Sequence, residues 1–378
     1  MNSLDTALQV KNTTTQAGLH VSFELGDRSW KLSCSDGIRS PSRYSVSAGD
    51  QTAVLDCLQK ARARCGLDGQ ATVHTCYEAG RDGWWLHRWL RDQGIDNIVV
   101  DSSSIEVNRR AKRAKTDRLD ADKLLALLLR YHRGERRVWS VVHEPTAQDE
   151  DARRTHREIA RLTHERIAHT NRIGSLLVLH NLRPERIGGR TWPAWWDSHR
   201  MQVPPLLRAE IEREYARFVL TKQQLNALET ARCHEVAEGA HPVVTRLTRL
   251  RAIGTRGAWI LDKELFGWRR FANRRELAGC LGLAPTPYAS GTSEGEQGIS
   301  KAGNKRARAL LVEVAWRWLR FQPDSAMSQW FNRRFSVAGK RSRRIGIIAL
   351  ARRLAIALLR YVEHGEVPAG ATLKTAAA

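Results

Sequence analysis

Between residues 19 and 131 the hydrophobic pattern switches repeatedly between a two-residue and a helical period, and this alternation restricts the fold more than any other feature. LHVSFEL (19–25) and SWKLSC (29–34) read as short strands parted by Gly26-Asp27-Arg28, where Gly-Asp favours a hairpin turn. RYSVSA (43–48) reads as a third strand. QTAVLDCLQKARARCG (51–66) reads as a helix stopped by Gly66. ATVHTCYEAG is then a strand, WWLHRWLRDQG a helix, DNIVVDSS a strand, and TDRLDADKLLALLLRY a helix with Leu119, Leu124, Leu127 and Leu128 available to a core. Strands alternating with helices imply a layered α/β domain with a partly parallel sheet, and the leading hairpin implies antiparallel pairing on one side. The element order is that of a ribonuclease-H-like fold, although order alone does not fix topology.

After Pro145 the texture changes. Residues 148–182 carry no strand signal; Ile159, Leu162, Ile173 and Leu176 stand among arginines and histidines, as in a long basic helix. Pro184, Gly188, Gly189 and Pro193 break it, with Trp192, Trp195 and Trp196 in the break, and a second helix is expected over about 205–237. The pair reads as an antiparallel arm or a coiled-coil-like dimer contact, though its heptads are poor. From 243, VVTRLTRLRAIGTRGAWILDKEL reads as helix, turn at Ile253-Gly254-Thr255, helix. This is either a helix-hairpin-helix-like unit whose turn amides hold a phosphate or a plain αα-hairpin. The remainder reads as helical and basic. The expected organisation is an α/β domain over 19–145, a helical linker over 146–240 and a C-terminal helical domain over 241–365.

Charge narrows the partners. There are 62 Lys and Arg against 40 acidic residues, a formal net charge of +22. Such a field captures polyanions, and nucleic acid, with its dense phosphates, is favoured over a membrane surface. Hydrophobic residues make up 42%, enough for ordinary cores. Cys34, Cys57, Cys65, Cys76, Cys233 and Cys280 form no C-x-x-C pair and read as free thiols of a reducing cytosol. The N-terminus lacks a signal-peptide apolar core, and the apolar run Ile345–Ala351 is too short to span a bilayer. A soluble, cytoplasmic, nucleoid-associated protein is expected.

Two constellations carry chemistry. Glu24 ends the first strand, Glu78 ends the strand ATVHTCYEAG, and Asp117 and Asp120 lie three apart on one face of the helix that follows. Strand ends beside a helix start would gather these oxygens for Mg²⁺, and two such ions can stabilise the attacking and leaving oxygens of a phosphodiester. Arg113, Lys115 and Arg118 would hold nucleic acid against this centre. Each acid also has a structural reading: a turn residue, a solvated strand end, a helix N-terminal acid or a partner of Lys123. Asp27 is an alternative to Glu24, while Asp122 lies on another helix face. The second constellation is Ser290, expected in a polar loop between helices, with Gly295, Gly298 and Gly303 around it and Lys301, Lys305, Arg306 and Arg308 after it. A serine among cations suits attack on a phosphodiester through a phosphoserine. An ordinary loop serine is the alternative, and Ser293 and Ser300 are further candidates.

At these residues the sequence resembles the insertion-sequence-110 family of transposases, the DEDD or bridge-RNA-guided recombinases. The carriers are YEAG (77–80), KTDRLDA (115–121), RAIGTRGA (251–258) and GLAP…SG…GISKAGNKRAR (282–308), and the resemblance covers about 19–335. It implies a RuvC-like N-terminal domain with a Mg²⁺-binding tetrad at Glu24, Glu78, Asp117 and Asp120. It further implies a helical linker, a C-terminal transposase domain with nucleophilic Ser290, and a composite site across subunits of a dimer or tetramer. DNA and a structured guide RNA from the element are the implied partners. The family's first acid is usually aspartate; this chain has Glu24. A metal-only RuvC-like junction nuclease and a non-catalytic nucleic-acid-binding relic are the rival readings.

Overall fold

The computed structural model describes residues 18–105, 117–290, 293–336 and 339–374; the side chains of 117–119 and 286–297 lie outside that description. Arg113 and Lys115 therefore fall outside it, as do the side chains of Asp117, Arg118, Ser290 and Ser293. The chain divides into two compact units, Met1–Glu144 and Pro145–Ala378. No helix among the described residues is long and apolar enough to cross a membrane.

In the first unit β1 (Leu19–Leu25), β2 (Ser29–Ser35) and β3 (Ser42–Ser47) form an antiparallel meander. The helix α1 (Gln51–Cys65) starts at Asp50, whose side chain accepts from the Ala53 amide, and stops at Gly66 with φ 63°. That left-handed cap is what a glycine supplies without a Cβ penalty. Then come β4 (Val73–Glu78), α2 (Trp85–Asp92), β5 (Asp96–Val100) and α3 (Asp117–His132). The sheet order is β3-β2-β1-β4-β5, with β4 parallel to both β1 and β5. Strand alternation sends Leu19, Val21 and Phe23 to one face and His20, Ser22 and Glu24 to the other. The first face packs with Trp30, Leu32, Val54, Leu58, Leu86 and Leu90. On the second, Cys76 and Val100 pack with Leu124, Leu127 and Leu128 of α3, and Ser22 Oγ donates to the Ala121 carbonyl at 2.6 Å. The unit is thus a sheet between two helical layers.

The second unit begins with α4 (Ala147–Asp151), started by a reciprocal Thr146–Asp149 capping box, and α5 (Arg154–Val178). The single long helix expected here is two. The expected break holds a helix of its own, α6 (Trp192–His199), followed by α7 (Pro205–Ala237). Trp192 is buried there among Trp195, Trp196 and Tyr215, with ring centroids 5.5–5.8 Å apart. Helices α5 and α7 are antiparallel: Arg172 pairs with Glu210, His169 with Glu214, and Ile159 and Leu162 pack with Leu225.

Next are α8 (Pro242–Thr248), α9 (Thr255–Leu261), a π-helical turn (Asp262–Phe266) and α10 (Arg274–Cys280). Strands β6 (Pro285–Ser290) and β7 (Ser293–Ile299) precede α11 (Lys305–Phe321), α12 (Ala326–Phe335) and α13 (Lys340–His364). The core of these helices is built on residues such as Leu247, Leu265, Leu311, Trp318, Leu350 and Leu358. One expectation is corrected: Ser290 does not sit in an irregular loop but ends a strand. The stretch is rich in Pro, Gly, Ser and Glu, all poor strand formers. Its antiparallel backbone pairing, Tyr288 opposite Gly295 and Ser290 opposite Ser293, forms despite that composition.

Candidate active site

The register of the five-stranded sheet sets two of the expected acids side by side. Phe23 of β1 pairs with Tyr77 of β4, so Glu24 and Glu78 follow at adjoining positions where both parallel strands end. Alternation turns both toward the α3 face, and each is half-buried. Helix α3 begins at this end of the sheet: Ala121 touches Ser22, and Asp117 lies one helical turn before it. Asp120, half-buried, is the residue next to Ala121. Asp27, the alternative to Glu24, is 80% exposed at its side chain and pairs with Arg81 at 2.8 Å. Asp122 is turned toward β2 and β3, accepting from Ser33 Oγ at 2.6 Å and from the Arg43 guanidinium. It is therefore structural.

The hairpin carrying Ser290 is clamped at its base. Ser300 N donates to the Ala284 carbonyl, Lys301 N to Gly282, and Asn304 N to Cys280 at 2.7 Å. Two glycines make this approach possible. A Cβ on Gly303 (φ 78°) would lie 2.2 Å from the Cys280 oxygen, and one on Gly282 (φ 62°) would lie 1.9 Å from the Ala302 oxygen. Only glycine fits such positions. Arg308 closes the clamp, donating to the carbonyls of Leu281 and Ala302, both at 2.9 Å. Its Nη1 thus serves the fold, while Lys301, Lys305 and Arg306 are exposed.

Beside the start of α11 lies a cleft of about 850 Å³, lined by Arg153, Arg154, Arg157, Arg161, His164 and Arg306 together with the acids Glu150 and Glu158. Burial, then repulsion from Arg157, holds the Arg153 pKa below its ordinary value, against the opposing pull of Glu264 and Glu150. Beneath it Glu264 is buried, accepting from His156 Nε2 at 2.8 Å, from Arg157 Nε at 2.9 Å and Nη2 at 3.0 Å, and from Asn304 Nδ2 at 3.0 Å. Asn304 also caps α11.

A family model described as Transposase IS116/IS110/IS902 family matches residues 244–330. The Sinorhizobium fredii protein named "Putative transposase y4rJ" is 39% identical over 94% of this chain and 95% of its own length. The chain belongs to the IS116/IS110/IS902 family of transposases. A second Sinorhizobium fredii protein, "Putative transposase y4qE", is 31% identical over 66% of this chain and 60% of its own length. The Yersinia enterocolitica "Transposase for insertion sequence element IS1328" is 25% identical over 50% of this chain and 57% of its own length.

In this transposase the matched segment runs from α8 into α12 and contains the clamped hairpin, both clamp glycines and the Asn304 cap. The N-terminal acids lie outside it. Sequence reasoning missed the network around Glu264. Its one legible trace was Asn304, an asparagine just before a basic helix, which is where an N-cap stands. His156 and Arg157 lie more than a hundred residues from Glu264, so no local pattern joins them.

Proposed function

We propose that this transposase cleaves and rejoins DNA at the ends of an insertion sequence, with Ser290 as nucleophile and with Glu24, Glu78, Asp117 and Asp120 as the acidic centre. The observation that carries the reading is the registration of Glu24 and Glu78 at adjoining strand ends, on the face where α3 begins with Asp117 and Asp120. The order of the sheet, three antiparallel strands extended by two parallel ones, agrees with a RuvC-like domain. Carboxylates gathered there would be hard oxygen donors, the set that Mg²⁺ prefers, and Glu24 would supply the same donor atoms as the aspartate usual in the family. Among the described residues Glu24, Glu78 and Asp120 do not all bring an oxygen within 4.8 Å of one another, so a bound ion has to draw them together. Magnesium held there would lower the charge on the scissile phosphate and stabilise the leaving oxygen.

Ser290 ends a strand whose base is held by the Gly282–Gly303 clamp, which supports the hairpin as the carrier of the nucleophile. Attack by its Oγ forms an Oγ–P bond and breaks one P–O bond of the DNA backbone; the hydroxyl proton is lost and the leaving oxygen gains one. The phosphoserine keeps the bond energy for rejoining. Exposed Lys301, Lys305 and Arg306, with the arginines of the cleft, neutralise backbone phosphates, and Arg113, Lys115 and Arg118 are assigned the same role near the acids. Guidance by a structured RNA, assembly as a dimer or tetramer, and action in the cytoplasm at the nucleoid are proposed on the family resemblance, and the +22 charge supports polyanionic partners.

The test is incubation of the full chain with element ends, flanking RNA and Mg²⁺, followed by denaturing electrophoresis for protein-linked DNA. Ser290→Ala is expected to abolish the adduct and the strand exchange. Cleavage by Ser290→Ala at the wild-type rate means metal-only hydrolysis instead. Glu78→Gln is expected to cut DNA at least 100-fold more slowly; an unchanged rate means that the acids are not the reactive centre.

A further inference from the structure

At the opposite end of the same sheet the register lines up a different set of side chains. His20 of β1 pairs with His74 of β4, and His74 pairs with Asp96 of β5. Positions paired across neighbouring strands point to one face, here the face covered by α3, and the last residue of α3 is His132. The His20 and His74 ring centroids are 5.2 Å apart, His20 and His132 5.2 Å, and His74 and His132 4.2 Å. Each ring offers one nitrogen, and the three nitrogens lie within 4.8 Å of one another, all on half-buried residues. The His20 Nδ1 is buried, with no geometrically ideal hydrogen bond among the described residues, and the ring lies against the Gly18 backbone.

We propose that His20, His74 and His132 bind a divalent transition metal, with zinc as the best match. Three imidazoles suit a borderline-soft ion and leave the fourth tetrahedral position to solvent. Zinc–nitrogen bonds of about 2.0–2.1 Å put tetrahedral ligand nitrogens roughly 3.3 Å apart, so side-chain adjustments of about 1 Å close the site. The Asp96 carboxylate lies 2.8 Å from His74 Nδ1, which fixes that ring and leaves Nε2 for the metal. A carboxylate behind a ligating histidine is the usual outer partner of such sites. Magnesium prefers oxygen, so this site and the acidic end of the sheet select different ions. The site would pin the end of α3 remote from Asp117 and Asp120, and it stands whether or not those acids are catalytic.

The full chain is stripped with chelator, reloaded with Zn²⁺, freed of excess ion by gel filtration and assayed by mass spectrometry for zinc. Wild type is expected to keep one zinc per chain, to rise in melting temperature on loading, and with Co²⁺ to show visible ligand-field bands of tetrahedral type. His74→Gln and His132→Gln are expected to lose all three signals while melting, metal-free, at the metal-free wild-type temperature. Asp96→Asn, at a half-exposed position that spares the core, is expected to weaken zinc about 10–100-fold in competition with a chromophoric chelator. Cys233→Ser, at the exposed thiol, is expected to bind as wild type does. Zinc retained unchanged by His74→Gln, zinc lost with Cys233→Ser, or no zinc held by wild type overturns the proposal. If the histidine variants fail to fold, an unaltered affinity in Asp96→Asn overturns it equally.

Discussion

Glu264 keeps its charge inside the second unit because its oxygens are met from three sides. Burial alone would raise its pKa, but hydrogen bonds from His156, Arg157 and Asn304 and the Arg157 charge outweigh that and hold it well below the usual carboxylate range. A carboxylate with a lowered folded pKa contributes stability that is complete above the unfolded value, near 4.3, and is lost as pH falls through the folded value. Glu264→Gln is therefore expected to lower unfolding free energy at pH 7 by roughly 3 kcal/mol, since the partners of a buried charge are left behind. It should also flatten the acid limb of stability below about pH 4.3, as read by urea titration across pH. An unchanged acid limb would show that Glu264 does not govern it. Arg157 is half-exposed, so solvent screens its charge more than it screens the buried His156 bond. Arg308, a basic residue expected to bind nucleic acid, also ties two carbonyls of the hairpin clamp through Nη1.

At the scale of elements, strength of pattern decided what could be read. Strands β1 to β5 and helices α1 to α3 stand where period and turn residues put them, because each buries one regular face. The Trp192 helix was hidden by the Gly188 and Gly189 before it and by Pro193 in its first turn, which read as breakers although proline is tolerated there. Its stability comes from packing of Trp192 against Tyr215 of α7 and its own tryptophans, not from propensity. Trp192→Ala is expected to cost about 3–5 kcal/mol, measured by thermal or urea unfolding; a loss below 1 kcal/mol would mean the cluster is not a core. The β6–β7 pairing was hidden for the opposite reason: its residues carry no apolar alternation, and pairing is a relation between two segments.

For the whole molecule, the +22 charge predicts salt-dependent binding of nucleic acid. Arg306→Ala and Arg161→Ala, at the cleft, are each expected to reduce the slope of log affinity against log salt by about 1, similarly for unrelated duplex sequences. Fluorescence anisotropy over a salt series reads this, and parallel lines for variant and wild type would remove the cleft from the interface. The basic charge, the alternating strands and helices of the first unit and the positions of the acids on strand ends and a helix start are properties of local sequence, because period and composition act over a few residues. What no local pattern held was which residues meet: Glu24 beside Glu78, His20 beside His74 and His132, Glu264 beneath the arginines of α5. Those meetings were settled by strand register and helix packing, which join residues 54 to 112 positions apart through backbone hydrogen bonds and burial.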